Sequence, residues 1–504
     1  MPENSQSGNV AARPLCPSSP WLARHPALAL GLVVAVFASV RLACLFNDLW
    51  LDEIWSLSQV ATLGSPGQIL THWRHDNNHP LNSFFLYLLV PAKADWLYRL
   101  FPWFTGSCTV WLAAKIGRLQ FRPADPDRAT EAAGVAELFG AVLVGGSYLL
   151  IHYSSEARGY APVTCFSLLA FYALLRGDDN ARVRWPVLYW LACMLALLSH
   201  LVAVQVLLAG LVFSFGTLLP ETAAWRARGM RLAFWHLPPA MFFCLYYLGF
   251  VRKLETGGGP EVSLLTALGD LAAYTVGLPV GAGLSLALPL LLLVTAGGLV
   301  LLWRSGKRAL AAFYLTLVFL SPALGLFASH FTLFHPRFFI VSAAGALLLA
   351  GYGLAWMWSR GPSARWAISA ILALFLIGNG LHTRRLLHDG RGQYQAALRS
   401  IAEQTPTPVI TVASDNDFRN FPVLDYYSRA AGPGRSLRYY PHNRWSAEGP
   451  QWLLLHRLDG ETAPGGGATD LRMGGHHFRL AGVFPHAALS GWDWFVYRNA
   501  DLLP

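Results

Sequence analysis

Residues 27–53 read ALALGLVVAVFASVRLACLFNDLWLDE, an apolar run that gives way at once to a polar, acidic turn. A run of ~17–25 such residues crosses a bilayer as a helix. The stretch 27–45 is too long for a signal-peptide core and is followed by Asn47-Asp48 without a small-residue cleavage site, so it reads as a retained first span. Outward from it the pattern repeats, at 99–118, 134–151, 159–176, 185–199, 200–219, 232–250, 284–303, 309–328, 338–358 and 364–382, about eleven spans in all. Composition agrees. Of 504 residues, 54% are hydrophobic and 13% charged, against about 25% charged in ordinary soluble domains. A globular cytoplasmic enzyme and a disordered chain are both excluded. The fold class is an α-helical polytopic membrane protein.

The run 81–97 is interrupted by Pro91, Lys93 and Asp95. Charge bias decides its course. If it does not cross, the inner loops carry Lys115, Arg118, Arg122 and Arg128, then Arg176, Arg182 and Arg184, then Arg226, Arg228 and Arg231, then Arg304, Lys307 and Arg308, then Arg360 and Arg365. The outer loops keep isolated bases such as Arg74, Arg158 and Arg337, with a pair at Arg252-Lys253. A crossing at 81–97 would invert every later loop and break the positive-inside rule. The segment is therefore expected to be re-entrant or interfacial. A cytoplasmic segment 1–26, a membrane unit 27–381 with a long external first loop 46–98, and an extracytoplasmic tail 382–504 follow. The expected location is the plasma (inner) membrane. The formal charge of +10 is read first as this bias across the bilayer, and nucleic-acid binding is disfavoured because the bases are dispersed among short loops.

The tail reads as a small α/β domain, with a helix at 394–404, strands near 409–413, 451–455, 478–483 and 494–497, and a helix around 421–430. The six cysteines, mostly in or beside apolar spans, show no zinc or redox spacing.

Span middles lack Asp, Glu, Lys and Arg, and ionisable groups gather in external loops, which argues for chemistry at an interface over passage through a pore. The densest is Asn47-Asp48-Leu49-Trp50-Leu51-Asp52-Glu53, continuing to His72 and His75-Asp76-Asn77-Asn78-His79-Pro80. On a helix Asp52 and Glu53 point ~100° apart, so one can serve as general base while the other orients a neighbour. A helix start favoured by acidic residues is an equal reading of the pair. The histidines invite a metal, but Asn78-His79-Pro80 breaks a helix and no Cys or carboxylate cluster completes a ligand set. No cofactor is identified, and participation of a divalent metal stays open. The second cluster is His152-Tyr153-Ser154-Ser155-Glu156-Ala157-Arg158-Gly159-Tyr160, whose Arg158 suits a phosphate, or pairs with Glu156 at the surface. The third is Ser329-His330-Phe331-Thr332-Leu333-Phe334-His335-Pro336-Arg337. Two lone arginines on one face, with Arg252 and Lys253, suit a phosphate-bearing lipid head group.

At these residues the chain resembles the GT-C superfamily of membrane glycosyltransferases, similar in layout to protein O-mannosyltransferases, lipid A aminoarabinose transferases and bacterial relatives. The matching pieces are Leu51-Asp52-Glu53, Asn78-His79-Pro80-Leu81, Arg99-Leu100-Phe101-Pro102, Tyr153–Tyr160 and Pro336-Arg337-Phe338-Phe339. Gly159 departs from the pattern, since a Pro often follows the Arg, and Leu81 stands where many relatives have a second Pro. The resemblance implies transfer of a sugar from a polyprenyl-phosphate donor to a glycolipid, polysaccharide or protein acceptor on the external face. It implies Asp52 as catalytic carboxylate with Glu53 beside it. Arg158 and Arg337 would hold the donor phosphate, with His79 shaping the site and Asn78, Tyr153, Glu156 and His335 at the substrate. The rival readings are a lipid-linked sugar flippase or transporter, which would need a polar path through the spans, and a diphosphate-glycan polymerase or ligase.

Overall fold

The computed structural model describes residues 26–121, 126–177, 183–218, 225–255, 257, 262–328, 334–441 and 444–502. The expected cytoplasmic segment before residue 26, the loop bases Arg122 and Arg182, and His330 with its neighbours 329–333 lie outside the described residues; Arg128 falls where no side chain is described.

Among the described residues, five helices are long and apolar enough to cross a membrane, or six if the bent pair Ala132–Gly146 and Tyr148–Ser154 counts as one. Others are shorter apolar helices, among them Ala27–Ala43, Tyr160–Arg176 and Arg184–Ser199. The helix Ile340–Trp358 is buried along nearly its whole length, whereas Leu293, Phe327 and Leu374 project outward from peripheral helices, as lipid contact requires. The helices Leu100–Gln120 and Pro126–Gly146 pack closely because Gly117 and Gly140 leave room: a Cβ at Gly140 would lie 2.6 Å from the carbonyl oxygen of Ala113.

One sequence expectation is met and two change. The run 81–97 contains only a ten-residue helix, Pro80–Leu89, then a 3-10 turn at Asp95–Arg99. Ten residues rise about 15 Å, half the hydrocarbon thickness. The run 134–151 is broken at Ser147, where the chain bends by 63°. The carbonyls of Val144 and Gly145 accept from the guanidinium of the fully buried Arg41 at 3.2 and 2.8 Å, and Asn379 accepts from Tyr148 N–H at 2.7 Å. A kink persists where its freed backbone groups find such partners. A thirteen-residue apolar helix, Leu264–Val276, was not anticipated, because Asp270 and its short length hide it.

The last long helix, Pro362–Asp389, continues past the expected boundary at 381 and leads into the tail. There, a six-stranded sheet has the order β2-β1-β3-β6-β5-β4, with β1 Val409–Ser414, β2 Ser436–Tyr440, β3 Trp452–Arg457, β4 Asp470–Met473, β5 His476–Phe484 and β6 Asp493–Asn499. The β1 strand pairs in parallel with β2 and β3, and the remaining pairs are antiparallel. The β2 and β4 strands escaped the sequence reading. The helix expected around 421–430 starts earlier, spanning Asp417–Tyr426, because the Asn416 side chain caps it by accepting from Arg419 N–H at 3.0 Å.

The β5–β6 loop docks the tail on the membrane unit. Ala488 accepts from the Tyr148 hydroxyl at 2.9 Å, and the Ser490 hydroxyl donates to Glu156 at 3.0 Å. Behind the loop His486 sits between Asp493 (2.6 Å) and Asp459 (3.2 Å). Burial alone would lower this imidazole, but the two carboxylates outweigh it and hold it up at about 9. A pKa raised on folding stabilises fully below the unfolded value of about 6.5, and the gain disappears as pH rises through the folded value. The wild-type chain is therefore expected to lose on the order of 3 kcal/mol between pH 6 and 10 that His486→Gln does not lose. Thermal unfolding of both proteins across this range checks it; parallel curves would reject the coupling.

Candidate functional site

The helix Leu51–Ala61 begins immediately after the polar turn, with Asp52 and Glu53 in its first turn. The acids sit where they favour the helix start, and their side chains point different ways. Glu53 is fully buried. Its carboxylate accepts from Arg99 Nε at 2.7 Å and Nη2 at 2.6 Å, and from the Ala157 N–H at 2.7 Å. Arg99 in turn donates to the carbonyls of Leu45, Asn47 and Asp48. Glu53 therefore ties the first loop to the segment carrying Arg158.

Asp52 faces the other way and keeps its side chain 20% exposed. Its Oδ2 lies 2.5 Å from Nη1 of Arg158 and 3.6 Å from Nη1 of Arg337. Residues distant in the chain thus converge on one carboxylate. Arg158 is fixed from behind: its Nε donates to Nε2 of His79 at 3.0 Å and its Nη2 to the Tyr160 hydroxyl at 3.3 Å. Burial, then the charges of Arg158, the His200 ring and Arg337, hold His79 well below the ordinary histidine range, so it stays neutral. A neutral ring accepting at Nε2 carries its proton on Nδ1. The ring stacks on His200 at 5.1 Å.

The other expected residues separate into distinct roles. Asn78 spends its amide inside the loop, donating to Ile69 and Trp73 carbonyls at 2.7 and 2.8 Å and accepting from Ser83 at 2.8 Å. Tyr153 is buried against Tyr160, 5.0 Å between ring centroids. Glu156 does not pair with Arg158 in a surface bridge. It is buried, accepting from the Trp50 indole at 3.1 Å and the Ser490 hydroxyl at 3.0 Å, with Nε of Arg391 3.9 Å away. Burial alone would raise this carboxyl, but His152 and Arg391 outweigh it and hold it below the usual range. His335 caps the turn Pro336–Phe339 with its ring on Phe338; burial, then Arg337, lowers it to about 3. Arg252 and Lys253 form a separate exposed turn. His72 and His75 diverge from His79, to Thr71 and to Trp55 respectively. Among the described residues no three His, Cys, Asp or Glu side chains gather as a metal site.

Sequence reasoning missed the roles of Arg99, His200, Arg391 and Ser490. Only Arg99 had a signal, its place in a quoted motif. The tail also reaches the first loop through Asp48, which accepts from Gln395 N–H and Nε2, both at 2.8 Å.

Gly159 now has a reason. A Cβ there would sit 2.0 Å from the Ser199 carbonyl oxygen and 3.0 Å from Cβ of His79. Backbone would have to move beside Arg158, and where such a group acts on a substrate ~1 Å of misplacement costs about 100-fold. Gly159→Ala is expected to cut turnover by about 10- to 100-fold; unchanged turnover with purified protein would show that the loop yields freely.

No protein-family model matches the chain, and no curated protein matches it in sequence. Solved structures match in fold. ArnT from Cupriavidus metallidurans in the apo state superposes with a TM-score of 0.53 at 14% identity, over 94% of this chain and 98% of that chain. ArnT from the same organism bound to undecaprenyl phosphate superposes with a TM-score of 0.50 at 15% identity, over 97% of this chain and 100% of that chain. This chain shares its overall fold with ArnT over nearly its whole length, and carries a small C-terminal sheet domain.

Proposed function

We propose that this chain is a membrane glycosyltransferase of the GT-C type that moves a sugar from a polyprenyl-phosphate donor to a hydroxyl or amine acceptor at the external membrane surface. The observation that carries the reading is Asp52 held between Arg158 and Arg337 at 2.5 and 3.6 Å. The shared fold with ArnT, which binds undecaprenyl phosphate, supports the donor class.

The chemistry is a single inverting displacement. Asp52 takes the acceptor's proton as its oxygen or nitrogen bonds to the anomeric carbon. The bond from that carbon to the phosphate oxygen breaks, and polyprenyl phosphate leaves with the electron pair. The sugar develops oxocarbenium character, as in glycoside hydrolysis. Arg158 and Arg337 stabilise charge growing on the leaving phosphate, and a guanidinium fork suits phosphate oxygens. Neutral His79 and the Tyr160 hydroxyl hold the Arg158 fork in place. Glu53 is a positioning residue, joining the Asp52 helix to the Arg158 segment. In this reading the Asp52 face is extracytoplasmic and residues 27–381 form the catalytic unit, with the N-terminus cytoplasmic.

Mass-spectrometric profiles of surface glycolipids and glycoproteins test the reading, comparing a strain lacking the gene with one in which it is restored. A sugar that vanishes and returns names donor and acceptor. Unchanged profiles would sink the proposal.

A further inference from the structure

A cavity lies at the far end of two helices that start beside the Asp52 site. The helix Leu100–Gln120 starts beside Glu53 and rises about 30 Å over its length, a full hydrocarbon thickness. The helix Tyr160–Arg176 likewise runs away from Tyr160 of the Asp52 site. At the far ends of both is a cavity of about 370 Å³ whose walls include Leu175, Phe213 and Leu310, with Gln120, Lys307 and Arg308 as its polar groups.

The Lys307 ammonium donates to the Gln120 carbonyl at 2.5 Å and lies over the rings of Tyr352 and Phe121, 5.2 and 5.9 Å from their centroids. Among the described residues no carboxylate pairs with Lys307 or Arg308, and burial pulls the lysine down to about 8. The helix Arg308–Leu315 opens here, and the first N–H groups of a helix have no carbonyl partners within it. Gln120 is 3% exposed; one end of its amide meets the Tyr314 hydroxyl, and the other, Oε1, is buried without a hydrogen-bond partner. A hydroxyl can give or take, so turning the amide by 180° keeps the Tyr314 bond and presents the NH2 group instead.

Two cations with no carboxylate partner among the described residues and a helix start line this apolar cavity, and a buried amide with an unpartnered oxygen adjoins it. We propose that this cavity binds the phosphate head group of an anionic glycerophospholipid from the leaflet opposite the Asp52 site. The apolar wall and the half-exposed Trp303, on which Arg308 stacks at 5.4 Å, place the opening at the level of lipid head groups rather than open water. The site is independent of the transferase reading.

The test uses the full chain in nanodiscs of phosphatidylcholine with or without phosphatidylglycerol, read by native mass spectrometry of retained lipid and by thermal unfolding. Wild type is expected to retain phosphatidylglycerol and to unfold at a higher temperature with it. The double variant Lys307→Gln/Arg308→Gln should lose retention by about tenfold or more. Equal retention by that variant overturns the proposal. So does equal retention of phosphatidylcholine, or the same thermal shift from inorganic phosphate in phosphatidylcholine discs. Should the double variant fail to fold, Lys307→Arg, which keeps the charge, must retain the lipid and Gln120→Leu must weaken retention. Any other result from that pair rejects the site.

Discussion

Asp52→Asn is expected to leave the fold intact and lower turnover by about 10²- to 10⁴-fold, the usual contribution of a general base. The carboxamide has nearly the same shape, and the side chain is partly exposed, so packing changes little. It cannot take the acceptor's proton. It also stops competing with the donor phosphate for Arg158 and Arg337, so donor KM should stay level or fall while kcat collapses. Transfer from a lipid-linked donor by purified protein, with kcat and KM measured separately, checks both. Normal kcat would remove Asp52 as the base. A rise in KM with unchanged kcat would recast Asp52 as a binding residue.

Glu53→Gln is expected to behave in the opposite way, although the residue is adjacent. Glu53 and Arg99 both have fully buried side chains, and removing one partner of such a pair costs about 3–5 kcal/mol. The carbonyls of Leu45, Asn47 and Asp48 still accept from Arg99, which moderates the loss toward the lower end. The thermal midpoint should fall by several degrees or more. Adding Arg99→Gln should restore part of it, because the orphaned charge is gone. An unchanged midpoint together with lost turnover would make Glu53 a chemical participant rather than a tie.

Much of the architecture was legible locally. Membrane spans announce themselves because lipid demands continuous apolar surface and internally paired backbone. The polar interruption at Pro91, Lys93 and Asp95 marked a segment that does not cross, as its short helix bears out. The Ser147 bend was not legible, because the groups that sustain it, Arg41 and Asn379, lie over a hundred residues away on either side.

The same division runs through the site. Sequence alone determined that Asp52 and Glu53 follow the first span and cannot face one atom, since adjacent helical residues diverge by a fixed angle. It also determined that Arg158 and Arg337 lie at span ends. Only the tertiary structure decided which carboxylate meets those arginines and which is buried against Arg99. That choice depends on the rotation of one short helix, set by packing against segments distant in the chain. It likewise decided that Glu156 belongs to the tail's docking network through Ser490, a partner 334 positions away. Local pattern encodes what a segment must bury; which partner it buries against is settled when the segments meet.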